Sequence, residues 1–208
     1  MRDIIRRVPT ERLALPGGRD VRASLDTGGP GDDADAVVVA CPPHPRHGGT
    51  RHDSRLDAVS DALPDRIDCL RIDYGPWDEG RGERIDAERA CSWAADRYDR
   101  VGLFGYSFGG GVALLAADEA PVAAVAALSP VATLDDGSDV VAGVDRIDTP
   151  LWVGYGTRDD TVDAASVAEA ARDHGGAVET FPADHFFVGR EERVGERVAG
   201  FVRETLRR

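Results

Sequence analysis

A pentapeptide of the form Gly-x-Ser-x-Gly, at residues 105–109, has the residue types and spacing of a serine nucleophile. The apolar run 101–104 before it predicts a buried strand, and the small apolar residues 110–117 after it predict a buried helix. A serine that attacks a carbonyl must project from a sharp turn between such elements, and the flanking glycines leave room for that turn. Ser107 is therefore the predicted nucleophile, and an incidental serine in a glycine-rich turn is the alternative.

An oxyanion that forms on an attacked carbonyl must be held by N–H donors. The backbone N–H of Phe108 meets this need, because it lies at the predicted helix start, where donors lack acceptors and the dipole favours negative charge. A second donor is expected from the loop 42–49, whose prolines and glycines exclude helix and strand. Proline has no N–H, so the N–H of His44 or of Arg46 remains. The ring of His44 could equally hold the loop in place.

A serine hydroxyl also needs a base to accept its proton. The chain has five histidines: His44, His47, His52, His174 and His185. His185 lies in the loop after the last predicted strand, 177–181, which places it at the same sheet edge as the serine. We therefore predict that His185 is the base and that the neighbouring Phe186 shields the site from water. His174 precedes two glycines and is expected to cap a helix C-terminus.

The base needs a carboxylate to orient it. Asp159 is the first carboxylate after the turn that ends the preceding predicted strand, and we predict that it orients His185. Asp160 is the second choice and could instead be a helix N-cap. Two further alternatives lie earlier in the chain, after another predicted strand: Asp135 and Asp136. The chain order Ser, Asp, His is the order that accompanies the Gly-x-Ser-x-Gly motif.

Strand and helix patterns alternate from residue 36 to the end of the chain. The alternation predicts an α/β fold with a mostly parallel, doubly wound sheet and helices on both faces, preceded by an antiparallel hairpin of 10–15 and 20–27. At 208 residues, a single domain covering 1–208 is expected. The interval 129–149 has no room for a large cap, so the site is expected to be open. Helices are predicted at 53–63, 82–97, 162–174 and 191–206.

Loops are expected to form the walls of this open site. Three of them meet at its edge: 42–53, 74–81 and 183–190. The candidate walls of the substrate pocket are aromatic, and each could equally pack in the core: Tyr74, Trp77, Tyr106 and Phe186. An open site of this kind suits small esters, thioesters or peptide ends, and the sequence does not rank them.

The net charge of −13 excludes several classes of partner. Every basic residue other than histidine is arginine, and the acidic surface repels nucleic acids and anionic membranes. Such self-repulsion is tolerable at molar salt, where the Debye length is about 3 Å, so we predict a salt-adapted, halophilic protein. An ordinary acidic protein from a GC-rich genome is the alternative. No apolar run reaches the roughly 18 residues of a membrane span, and residues 1–7 lack a signal-peptide core, which predicts a cytoplasmic location.

Cysteine and histidine usage gives no sign of a metal or disulfide framework. The three cysteines have no C-x-x-C spacing and are expected to be buried free thiols: Cys41, Cys69 and Cys91. A metal site from the polar cluster in the 42–53 loop fits no zinc spacing: His44, His47, His52 and Asp53. We therefore expect no metal and no cofactor, with a small molecule as the partner.

Three motifs resemble those of the α/β-hydrolase superfamily: Gly105–Gly110 around Ser107, Gly156-x-x-Asp159-x-x-Val162, and residues 183–187 around His185. The stretch 43–49, Pro-His-Pro-x-x-Gly-Gly, is similar to that of a small dienelactone-hydrolase-like branch, which usually carries His-Pro-His-Pro-x-x-Gly-Gly; here Pro42 replaces the first His. The resemblance extends from about residue 13 to the end. It implies a serine hydrolase with a Ser–His–Asp triad. True dienelactone hydrolases use cysteine as nucleophile, so their substrate is not carried over.

Motifs and resemblance together predict hydrolysis of a small ester-like substrate, a carboxylester or a thioester, through an acyl-enzyme on Ser107. Two alternatives remain open. The fold also serves as a non-catalytic binding or scaffold module, since fold does not fix function. An acyltransferase or cofactor-free haloperoxidase would use the same triad on another acceptor.

Overall fold

The structure, a computed structural model, describes residues 10–28 and 34–206. Its strands form one eight-stranded sheet in the order β1-β2-β4-β3-β5-β6-β7-β8. The strands are β1 (Thr10–Ala14), β2 (Arg22–Asp26), β3 (Ala36–Cys41), β4 (Ile67–Asp73), β5 (Arg100–Tyr106), β6 (Ala124–Leu128), β7 (Leu151–Gly156) and β8 (Ala177–Phe181). The predicted hairpin is present as the antiparallel pair β1–β2, and β2 also pairs antiparallel with β4. All other neighbours are parallel, which confirms the predicted fold class.

The described residues form six α-helices, of which the last follows β8: α1 (Ser54–Ala62), α2 (Arg81–Ala95), α3 (Phe108–Ala116), α4 (Val140–Gly143), α5 (Ala164–Asp173) and α6 (Glu191–Thr205). The predicted helix 162–174 begins later than expected, because the Asp163 side chain accepts from the Ser166 N–H and caps it. The prediction that 42–49 has no helix is also wrong, since Pro45–His47 form one 3₁₀ turn. Proline at the first position presets φ for that turn.

The sheet separates two apolar cores, and alternation along the central strand supplies both. Val37 and Val39 belong to one core, with helices α2, α3 and α5. Val38 and Ala40 belong to the other, with α1 and α6. A strand buried on both faces has no polar alternation, which is why β3 reads as a continuous apolar run.

The parts of the chain outside the described residues include segment 1–7, on which the prediction of no signal peptide depends. Among residues 10–28 and 34–206, no helix is long and apolar enough to cross a membrane. The three cysteines are free and buried, as predicted. Burial raises the pKa of Cys41 and of Cys69 to about 12, so neither is available as a thiolate nucleophile.

A buried ion network fixes the far end of the loop that follows β3. Arg71 on β4 donates from Nε to Asp26 Oδ2 at 2.6 Å, and both side chains are less than a tenth exposed. The Ser60 hydroxyl donates to the same carboxylate at 2.8 Å. Arg71 also donates to the backbone carbonyl of Arg51 at 2.8 Å, which ties the loop to the sheet.

Replacing Arg71 by alanine leaves Asp26 buried without its cation. We expect the free energy of unfolding to fall by about 3–5 kcal/mol, the usual cost of breaking a buried pair from one side. Arg66→Ala is the control, because Arg66 pairs with Asp35 at 3.2 Å in an exposed position and should cost less than about 1 kcal/mol. Urea denaturation in molar KCl measures the free energy of unfolding of both variants. Equal losses would contradict the claim that the buried Arg71–Asp26 pair stabilises the fold.

Candidate active site

Ser107 stands between β5 and α3 in a backbone conformation that few non-glycine residues adopt, with φ 58° and ψ −119°. Its N–H donates to the Leu128 carbonyl at 2.9 Å, and its carbonyl accepts from the Gly110 N–H at 2.9 Å. Neither flanking glycine has positive φ. A Cβ at Gly105 would instead collide with the Gly109 carbonyl, and one at Gly109 with the carbonyls of the β3 end. The spacing of the motif is thus set by close backbone approach.

The structure brings the three predicted catalytic residues into one hydrogen-bonded line. His185 Nε2 lies 2.9 Å from Ser107 Oγ, and His185 Nδ1 lies 2.8 Å from Asp159 Oδ2. The side chains of His185 and Asp159 are only 6% and 2% exposed. A carboxylate can only accept, so Nδ1 carries the ring proton and Nε2 is left as an acceptor for the serine hydroxyl. That is the arrangement a general base requires.

Backbone and side-chain donors hold this line in place. Asp159 Oδ1 accepts from the N–H groups of Thr161 and Val162 at 3.0 and 3.3 Å. The Tyr106 hydroxyl donates to the His185 carbonyl at 2.9 Å. Burial raises the pKa of Tyr106 to about 12, so its hydroxyl stays protonated and remains a donor at neutral pH. Sequence analysis missed this anchoring role of Tyr106, because it depends on a contact between distant residues.

None of the alternative acids reaches His185. Asp160 is exposed, and its proposed helix N-cap role is wrong, since Asp163 caps α5. Asp136 accepts from the Ser138 N–H at 2.9 Å within its own turn. Asp135 lies 3.3 Å from Nε2 of a different histidine, His44. Of the four candidate carboxylates, Asp159 alone is placed to orient the base.

The two expected oxyanion donors lie on residues that touch each other. Phe108 opens α3, so its N–H has no acceptor within the helix. The His44 N–H has no hydrogen-bond acceptor among the described residues either, and the rings of His44 and Phe108 are 4.9 Å apart. Arg46 is a different case, because its N–H donates to His44 Nδ1 at 3.2 Å. Because this N–H already has an acceptor, the alternative that Arg46 supplies the second donor is wrong.

A cavity of about 470 Å³ opens beside Ser107. It is lined by Pro43, His44, His47, Gly48, Gly49, Asp53, Arg55, Tyr106, Ser107, Phe108, Val131, Thr161, Val162, His185 and Phe186. Tyr106 and Phe186 thus line the cavity, as predicted. Trp77 does not, because it packs against the rings of His44 and Phe108 at 4.6 and 5.5 Å and lies behind the wall. Tyr74 is buried and hydrogen-bonds to the Pro42 carbonyl.

Arg55 is a cavity residue that sequence analysis missed. Its guanidinium lies over the Tyr106 ring, 4.4 Å from the centroid, and bonds to Asp53 Oδ2 at 2.6 Å. Desolvation raises the pKa of Asp53, which also caps α1. The available signal was the position of Asp53 and Arg55 at a helix start directly after a site loop.

The polar residues around the cavity do not converge as metal ligands. His44 and His47 stack on each other with their centroids 4.3 Å apart. Across residues 10–28 and 34–206, no group of three or more His, Cys, Asp or Glu residues is placed to hold a metal ion.

The sheet order, the strained serine after β5 and the lidless sheet edge define an α/β hydrolase. A sequence model of the dienelactone hydrolase family matches residues 77–202, more than half of the chain, and the chain belongs to this family. It is a hydrolase of that fold. No curated protein sequence matches the chain at a significant level.

Solved structures share this fold at low sequence identity. A lidless α/β serine hydrolase from Xanthomonas campestris has a TM-score of 0.79 at 21% identity, over 94% of each chain. An α/β serine hydrolase homologue from Coxiella burnetii has a TM-score of 0.76 at 24% identity, over 93% of this chain and 96% of that one. An esterase from Pyrococcus furiosus has a TM-score of 0.79 at 17% identity, over 95% of this chain and 92% of that one.

Proposed function

We propose that this protein is a serine hydrolase that cleaves small carboxylic esters or thioesters through Ser107, His185 and Asp159. The hydrogen-bonded line from the Ser107 hydroxyl through both ring nitrogens of His185 to a buried Asp159 carries the proposal. The neighbours described as serine hydrolase and esterase support the same reaction class. A non-catalytic binding role gives no reason for the strained serine backbone or for the buried imidazole–carboxylate pair.

The proposed reaction uses only groups of this chain. His185 Nε2 takes the proton of the Ser107 hydroxyl as Oγ bonds to the substrate carbonyl carbon. The carbonyl oxygen becomes an oxyanion, and the N–H groups of Phe108 and His44 hold it. Collapse expels the alcohol or thiol, which receives the proton from His185, and leaves an acyl group on Ser107. Water, deprotonated by the same imidazole, then releases the acid and restores the serine.

The cavity limits the size and character of the substrate. About 470 Å³ accommodates a small ester, and its walls are mostly apolar around the reacting atoms, with Phe108, Val131 and Val162 among them. Phe186 is 54% exposed at the mouth, its ring centroid 5.5 Å from that of His185, and no cap formed by residues 10–28 or 34–206 covers it. Short acyl chains on small leaving groups are therefore the proposed substrates. The acidic composition supports a salt-adapted protein, so assays belong in molar KCl.

The pH dependence of hydrolysis tests the role of His185 as base. Protonated imidazole cannot accept the serine proton, so kcat/KM for p-nitrophenyl acetate should rise with pH. While the imidazole is mostly protonated, the rise should be about tenfold per pH unit, as for one essential deprotonation. Initial rates from pH 5 to 9 in molar KCl measure it. A flat profile, or a rate no higher than that of Ser107→Ala, would contradict the proposed function.

A further inference from the structure

The loop that carries the second oxyanion donor is shaped mainly by its own hydrogen bonds. The His44 carbonyl accepts from the N–H groups of His47 and Gly49 at 3.0 and 3.1 Å. The His44 ring accepts from the Arg46 N–H at Nδ1. These bonds set the conformation of the loop, but every one of them lies within it. They do not fix where the His44 N–H stands relative to Ser107.

One hydrogen bond of His44 reaches outside the loop. Because Nδ1 accepts from a backbone N–H, the neutral ring carries its proton on Nε2, and Nε2 donates to Asp135 Oδ2 at 3.3 Å. Desolvation lowers the pKa of His44, which favours the neutral ring, and the Asp135 charge opposes this shift. Asp135 therefore acts as the external acceptor for a fixed tautomer.

The segment that carries Asp135 is itself attached to the nucleophile. Val131, four residues earlier, donates its N–H to the Ser107 carbonyl at 3.3 Å. Asp135 itself lies in a turn that two backbone bonds close, from the Leu134 N–H to the Ser138 carbonyl at 3.0 Å and from the Gly137 N–H to the Leu134 carbonyl at 2.9 Å. The Asp135 side chain is half exposed, but its backbone position is set on both sides.

We propose that Asp135 is a positioning residue that holds the His44 N–H in the oxyanion hole. The path runs from the Ser107 carbonyl through Val131 and the turn to Asp135, and from there through the imidazole to the backbone of His44. These contacts fix the position of the second oxyanion donor relative to the nucleophile. This inference rests on the proposed function, since it assigns Asp135 a role only in stabilising the oxyanion formed at Ser107. The contact between the rings of His44 and Phe108 links the position of this donor to that of the first donor, the Phe108 N–H.

Replacing Asp135 by alanine removes the external acceptor and should affect the transition state more than substrate binding. We expect kcat for p-nitrophenyl acetate to fall about tenfold, less than the loss of a whole oxyanion donor, with KM within twofold of wild type. A trifluoromethyl ketone is attacked by the serine oxygen and gives a bound oxyanion. Affinity for this ketone should fall by the same factor as kcat. Asp135→Asn keeps an amide oxygen that accepts from Nε2 and should stay within about threefold of wild type.

The matched control is Asp160→Asn, which removes one exposed carboxylate at the same sheet edge and should leave kcat and ketone affinity unchanged. Unchanged thermal unfolding of Asp135→Ala, within about 2 °C, excludes a general loss of stability. In a His44→Phe background, Asp135→Ala should have no further effect, because the two side chains act as one unit.

Three results would overturn the inference: kcat of Asp135→Ala within twofold of wild type, an equal loss in Asp160→Asn, or a rise in KM with ketone affinity preserved. The Ser107→Ala variant keeps this test separate from that of the proposed function. A wild-type rate equal to that of Ser107→Ala overturns both. A wild type well above Ser107→Ala, with Asp135→Ala unaffected, overturns the role of Asp135 alone.

Discussion

Replacing Ser107 by alanine is expected to lower kcat for p-nitrophenyl acetate by at least about 10⁴-fold, because the proposed acyl-enzyme forms on the hydroxyl that this change removes. Alanine has the same backbone restrictions as serine at φ 58°, and its smaller side chain leaves the neighbouring glycine contacts unchanged. The variant should therefore fold like wild type. Initial rates at saturating ester, with circular dichroism to compare the folds, measure the loss.

Ser129 provides a matched control for this substitution. It is fully buried, it directly follows the neighbouring strand β6, and it also has positive φ, at 40°. Its hydroxyl has no hydrogen-bond partner among the described residues. Ser129→Ala should therefore keep kcat within about threefold of wild type, since it removes a similar atom that takes no part in the line to Asp159. Equal losses in the two variants would show that Ser107 acts through structure and not as the nucleophile.

Replacing Asp159 by asparagine is expected to lower kcat by about 10³- to 10⁴-fold with little change in KM. The amide nitrogen of asparagine, turned to His185, would donate to Nδ1 and move the ring proton to Nε2. In that tautomer the imidazole has no lone pair for the serine hydroxyl. The shape of the site is retained because asparagine has nearly the volume of aspartate and its oxygen can still accept from the Thr161 N–H.

Asp160→Asn is the control for the acid, since it makes the same chemical change one residue further along the chain. Asp160 is exposed, and the ring nitrogens of His185 bond to Ser107 and Asp159 instead, so kcat of the Asp160→Asn variant should match wild type. Kinetics of both variants on the same ester decide between the two carboxylates that the sequence left open. A large loss in Asp160→Asn with an active Asp159→Asn would reverse the assignment.

The elements that position the site are predictable from sequence, because each has a local signal. The Gly-x-Ser-x-Gly turn needs only a strand before it and small residues after it, and both are legible in residues 101–117. Asp159 and His185 follow the neighbouring parallel strands β7 and β8, and parallel strands bring their carboxyl ends to one edge of the sheet. The three motifs, which are far apart in the chain, are therefore expected to lie close together in space.

Long-range choices between similar side chains are not predictable in this way. The sequence offers Asp135 as an alternative acid for His185. In the structure it is a hydrogen-bond partner of His44 instead, because the turn after β6 lies next to the loop after β3. Trp77 and Tyr106 are equivalent aromatic candidates, and the packing of rings behind the cavity wall separates them. The choice between the N–H of His44 and that of Arg46 as oxyanion donor depends on one hydrogen bond, in which the Arg46 N–H donates to the His44 ring. Each outcome is set by tertiary contacts that no local pattern encodes.

The most direct measurement of the central claim, that Ser107 is an activated nucleophile, is labelling of the full chain with a fluorophosphonate probe in molar KCl, followed by intact mass and peptide mapping. We predict a single adduct on the peptide that contains Ser107, complete in wild type and Ser129→Ala and absent in folded Ser107→Ala. Folded wild-type protein that takes no label, or that carries it at another residue, would contradict the account.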